Sequence, residues 1–106
     1  MVKVRISDIR YVEGMSEYLK IHLESEQKPL ITLLSMKLLE ERLPPYFMRI
    51  HRSYIVNLNA IHEVNKNRVI IDSETSLPIG DSYRESFNTY LNGQFLGKKK
   101  GDLLAT

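Results

Sequence analysis

The chain has 106 residues, 42% hydrophobic and 26% charged, with a net charge of +2. That length suits one domain with a single core, and no apolar stretch is long enough to span a bilayer. With no cysteine, a disulfide framework and thiolate metal sites are both excluded, which suits a soluble protein of a reducing cytoplasm.

Val2, Val4 and Ile6 alternate with Lys3 and Arg5, a period-two pattern that predicts a first half-buried strand and lacks the unbroken apolar centre of a signal peptide. Leu19, Ile21 and Leu23 alternate with Tyr18, Lys20, His22 and Glu24 and predict a second. The polar break Ser25-Glu26-Gln27-Lys28, followed by Pro29 and the apolar run Leu30 to Leu34, predicts a hairpin. At Ser35 the period changes. Met36, Leu38, Leu39 and Leu43 keep helical spacing, Ser35 can cap the first turn, and Pro44-Pro45 forbids continuation, so a short helix is expected over 36–43.

Phe47 to Leu58 is rich in β-branched and aromatic residues but is interrupted by His51-Arg52-Ser53, which predicts two strands around a polar turn. Ile61–Val64 and Arg68–Asp72 flank the turn-like Asn65-Lys66-Asn67, and Ser73 to Ser76 breaks the chain again before Leu77-Pro78-Ile79. Ser82 and Glu85 then match a Ser-x-x-Glu capping box. Tyr83, Phe87, Tyr90 and Leu91 share one helical face until Gly93 offers a stop, which predicts a second helix over 82–92. The expected core includes Ile55, Val56, Phe87 and Leu91. Residues 93–106 read as a loose tail.

The chemistry of catalysis is missing. No Gly-x-Ser-x-Gly elbow and no cysteine supplies a nucleophile, and the dispersed glycines form no phosphate loop. His22, His51 and His62 lack the close spacing of a zinc pair. Neither an enzyme, a metal nor a cofactor is called for. The charge distribution is more informative than its sum, because Lys98, Lys99 and Lys100 supply more than the whole net charge. From Glu41 to Glu63 there is no intervening acid, while Arg42, Arg49, His51, Arg52 and His62 fall there, a stretch suited to phosphates. Within it, an arginine fork at Arg52 suits guanine O6 and N7, His51 can donate to a purine acceptor and Ser53 can reach a phosphate. An ordinary polar turn is the alternative reading of the same three residues.

The run Arg49-Ile50-His51-Arg52-Ser53-Tyr54-Ile55-Val56-Asn57 resembles the Arg-x-His-Arg-Ser-Tyr-Ile-Val-Asn signature of the LytTR-type DNA-binding domain, an output domain of bacterial response regulators. Asp8 to Gly14, Met36 to Glu40 and Leu77 to Gly80 are also similar to that family, and the resemblance covers residues 2 to about 92. It implies a mainly β, antiparallel fold with two short helices over 1–92, acting in transcription regulation. It further implies binding to double-stranded DNA at direct repeats read by two protomers, with no membrane and no small-molecule substrate as partner. His51 and Arg52 would enter a major groove. A second contact would come from Ser16, Glu17 and Tyr18, and a third from the segment opening the last helix, Gly80, Asp81, Ser82 and Arg84. Many relatives carry a basic pair where this chain has Gly80-Asp81, and Arg84 is the nearest substitute. A receiver or sensor domain is expected upstream.

Ser35 and Lys37 open the first expected helix and Ser82 and Arg84 the second, and helix starts offer unpaired amides and a positive dipole end to phosphates. Ordinary capping accounts for Ser35 and Ser82 equally well. Two other functions compete with duplex binding. One is a β-rich interaction module in which His51, Arg52 and Tyr54 meet an acidic protein partner; the other is a single-strand binder stacking bases on Tyr11, Tyr18 and Tyr54.

Overall fold

The computed structural model describes residues 3–93. Among the described residues, eight strands form two antiparallel sheets. The larger contains β1 (Ile9–Gly14), β2 (Leu19–Leu23), β3 (Leu30–Thr32), β4 (Phe47–His51) and β5 (Tyr54–Asn57) in the order β3-β2-β1-β5-β4. The smaller contains β6 (Glu63–Asn65), β7 (Arg68–Asp72) and β8 (Thr75–Pro78) in sequential order. Helix α1 (Met36–Arg42) lies between β3 and β4, and α2 (Arg84–Leu91) follows β8. No helix among the described residues is long and apolar enough to cross a membrane.

The larger sheet is the middle layer, because β5 buries both faces. Ile55 packs with Val12, Leu19, Ile21, Phe47 and Leu39 of α1 on one side. Val56, beside it in sequence, packs on the other with Ile50 of β4, with Val69 and Ile71 of the smaller sheet, and with Phe87 of α2. Consecutive strand residues point to opposite faces, so the adjacent pair Ile55-Val56 joins two half-cores. Both are essentially inaccessible, as is Phe87, in line with the sequence expectation.

Most elements lie where periodicity puts them, including α1, whose Ser35 hydroxyl accepts from the Leu38 amide at 3.1 Å and which stops before Pro44-Pro45. Four expectations need correction. The expected first strand does not form at the described residues 3–6: Ile6 opens a 3-10 turn over Ile6–Asp8 and is exposed, and the first strand described is Ile9–Gly14. Asp8 accepts from the Ser25 amide through its side chain and from the Glu24 amide through its carbonyl. Those bonds turn the chain at the end of the β1–β2 ladder. The Ser82–Glu85 capping box does not form. Residues Asp81–Tyr83 make a 3-10 turn, α2 starts only at Arg84, and no side chain caps it, so Ser82 lies too far ahead of the helix to reach its amides. Leu91 is half-buried at the rim of the second half-core rather than within it. No described glycine has positive φ, so Gly93 does not end α2 by a left-handed cap. Of the expected tail, residues 94–106 with Lys98, Lys99 and Lys100 lie outside the described residues.

Candidate nucleic-acid interface

The hairpin β4–β5 closes through Arg52 and Ser53, with a register shift between Arg49 and His51. The extra residue of such a bulge bends the strand and re-aims its last side chains. The Ser53 amide donates to His51 Nδ1 at 3.0 Å. A neutral imidazole accepting at Nδ1 carries its proton on Nε2, so the ring's outer nitrogen is the donor. Tyr54 braces the same ring, with centroids 5.5 Å apart. Arg52 is exposed, and its guanidinium has no partner among the described residues.

Three further segments meet this turn. The Gly14 amide donates to the Ser53 carbonyl at 2.8 Å, which places the loop after β1 beside the turn. That loop is closed by a bond from the Met15 amide to the Tyr18 carbonyl at 2.8 Å, leaving Ser16 and Glu17 exposed and Tyr18 half-buried. A Cβ on Gly14 would stand 3.0 Å from Met36 Cγ, so the start of α1, with Ser35 and the exposed Lys37, abuts the same end. The Gly80 amide donates to the Ile50 carbonyl at 2.8 Å, and a Cβ on Gly80 would meet Tyr83 at 3.3 Å and His51 at 3.4 Å. Close approach, not φ, is what calls for glycine there. The segments holding Ser16-Glu17-Tyr18, Ser35-Lys37, His51-Arg52-Ser53 and Ser82-Arg84 therefore converge on one end of the molecule.

The cations at this end are not equivalent. Arg84 pairs with Asp81 at 2.9 Å, while its buried Nε has no hydrogen-bond partner. Its charge is already partly met by the acid that stands where a basic residue was looked for. Arg49 is not among the contact residues that the sequence predicts. Its guanidinium bonds the Arg52 carbonyl at 2.6 Å, the His51 carbonyl at 3.4 Å and Glu40 Oε1 at 3.3 Å. A fork with several rigidly spaced donors can bond two turn carbonyls and a carboxylate at once. The signals of Arg49 in the sequence are its place in the acid-free stretch and at the head of the signature run.

The remaining histidines stand elsewhere. His22 on β2 stacks on Tyr11 at 4.2 Å, and its Nε2 lies 3.5 Å from Glu13. Burial pushes its pKa below the ordinary value, with the Glu13 carboxylate opposing. This stack covers one face of Tyr11, which works against that ring as a platform for bases. His62 is exposed beyond β5.

The sequence matches the LytTr DNA-binding domain family over residues 1–92. It is 30% identical over 97 residues to the sensory transduction protein LytT of Bacillus cereus, and to the same degree to that of Bacillus anthracis. Those matches take in 86% of this chain but 39% of the relatives' length. Among solved structures, the LytTr domain of a Bacillus cereus protein described as a methyl-accepting/DNA response regulator superposes with a TM-score of 0.73. The two are 26% identical, and the superposition covers 85% of this chain and 86% of the other. Two sheets in this order, two short helices and a signature-bearing hairpin thus agree with the family match, and the chain belongs to the LytTr DNA-binding domain family.

Proposed function

We propose that this domain binds double-stranded DNA sequence-specifically, with the turn at His51-Arg52-Ser53 as its base-reading element, in bacterial transcription regulation. The observation that carries this reading is the state of Arg52: an exposed guanidinium with no partner among the described residues, on a hydrogen-bonded turn. Arg52 reads guanine through its fork, His51 Nε2 donates to a neighbouring acceptor, and the Ser53 hydroxyl reaches a phosphate. Ser16, Glu17 and Tyr18 on one side and Ser82 and Arg84 on the other approach adjacent groove edges. Ser35 and Lys37 hold the backbone and set the register without reading sequence. Two protomers occupy direct repeats. In the whole cytoplasmic protein the domain acts as the output half of a response regulator. The names of its LytT relatives, and the length they carry beyond the match, favour that setting.

The test uses a duplex enriched from a random library by the parent chain, and a scrambled duplex of equal length. Arg52→Ala should cost about 1–3 kcal/mol on the enriched duplex and far less on the scrambled one, since only the base contact depends on sequence. Lys37→Ala should weaken both about equally. Thermal melts of both variants should match the parent. Equal losses on the two duplexes for Arg52→Ala would make it a phosphate contact and refute its role as reader.

A further inference from the structure

Arg49 is only 19% exposed, and a groove-reading side chain would be open instead. Its three hydrogen bonds run to different parts of the interface. Nη2 and Nε hold the Arg52 and His51 carbonyls, Nη1 holds Glu40 on α1, and its guanidinium carbon lies 5.9 Å from the centre of the Tyr83 ring in the 3-10 turn before α2. One planar group thus touches the recognition hairpin, the helix carrying Lys37 and the segment carrying Ser82 and Arg84. We propose that Arg49 is a positioning residue that sets the geometry of the 51–53 turn relative to α1 and the Asp81–Tyr83 segment, so that Glu40, although acidic, favours specific DNA binding through it. This rests on the DNA-binding reading of the turn.

The physical case is one of pre-organisation. The Arg52 carbonyl lies in the turn, beyond the last ladder pair His51–Tyr54, and the His51 carbonyl lies just past the register shift; a charged donor binds such groups more strongly than water would. Lysine supplies the charge but not the divergent planar donors. Without the fork, the turn would have to be ordered on binding, and that cost would fall on the specific complex, where Arg52 and His51 must be aligned. The non-specific complex, held by phosphates alone, would be nearly indifferent.

The test uses Arg49→Met, Arg49→Lys and Glu40→Gln in the full 106-residue chain. Affinity is measured for the enriched and the scrambled duplex, and amide exchange of Ser53 is followed in free protein. Arg49→Met should weaken the enriched duplex roughly tenfold and the scrambled one by about twofold at most. Arg49→Lys should not rescue it. In both variants the Ser53 amide should exchange faster. Glu40→Gln, on an exposed helix face, leaves Arg49 in place and separates positioning from bulk charge. Removing an acid near DNA should by electrostatics alone strengthen both duplexes, whereas positioning requires the enriched duplex to weaken. Equal losses on both duplexes with recovery in Arg49→Lys would make Arg49 a phosphate contact and overturn the proposal, as would stronger binding of both duplexes by Glu40→Gln. A parent chain that enriches no sequence would sink the DNA reading by itself. Ser53 exchange would then still decide the positioning claim, with an unchanged rate in Arg49→Met overturning it.

Discussion

Between Arg49 and Asn57, neighbouring side chains serve different ends. Asn57 is 5% exposed, donates to the Ile9 carbonyl at 2.8 Å and accepts from the Asn59 amide at 2.8 Å, so it fastens β5 to the start of β1. Ile55 and Val56 fill the two half-cores, while the turn before them holds the exposed Arg52 between the half-buried His51 and Ser53. The Tyr11–His22 stack gives the residue scale its own prediction. Burial holds the His22 imidazole below its ordinary value of 6.5, so between those values the unfolded chain binds more protons than the folded one. Folding stability should therefore be complete above the ordinary histidine range and fall as pH drops through the folded value of His22. Denaturant melts across that range should show the decline in the parent but not in His22→Phe, which keeps the stack with Tyr11 and removes the titration. A decline of equal size in the variant would assign it to another group.

At the scale of elements, α2 is held by what it buries. It lacks a side-chain cap and has one wholly buried side chain, Phe87, 1% exposed against Val56, Val69 and Leu77. Phe87→Ala should cost about 3–5 kcal/mol, the usual penalty for emptying a large aromatic site. A variant melting within about a degree of the parent would mean that α2 does not pack this way. The same helix carries the proposed third DNA segment, since Arg84 is its first residue and Gly80 is bonded to the strand before the turn proposed to read bases. Helix α1 differs in kind. Its Ser35 cap and following prolines are local devices, and Leu39 anchors it to the other half-core.

For the molecule as a whole, the loops on one end decide its electrostatics. Among the described residues Lys37 and Arg52 are exposed with no acidic partner there, whereas Arg49 and Arg84 are paired with Glu40 and Asp81. Neutralising about four phosphates gives a slope of log K against log salt of roughly −4. Fluorescence-anisotropy titrations with the scrambled duplex from low to moderate salt would measure it. A flat response would remove the phosphate contacts altogether. Paired arginines also predict that the slope changes little in Arg49→Met but becomes shallower by about one in Lys37→Ala.

What the sequence by itself determined were features with local causes. Alternation at Leu19–Leu23, the Ser35 cap and Pro44-Pro45 around α1, and the polar break at 51–53 between β-branched runs each act within a few residues, and the structure has them there. The signature hairpin was legible for the same reason. Tertiary structure alone decided the rest. Val4 and Ile6 alternate as well as Leu19 and Ile21 do, but the place between β2 and β5 is taken by Ile9–Gly14, and a strand needs partners on its edges as well as a pattern on its face. Ser82 and Glu85 have capping-box spacing, but the contact of Gly80 with β4 and the 3-10 turn that follows delay the helix to Arg84. The bonds from Arg49 to His51 and Arg52 are short-range, yet Glu40 and Tyr83 join them only once α1 and the Asp81–Tyr83 turn have packed beside β4. Local propensity acts through neighbours in the chain, whereas burial and charge pairing act through neighbours in space, and only folding brings the second kind together.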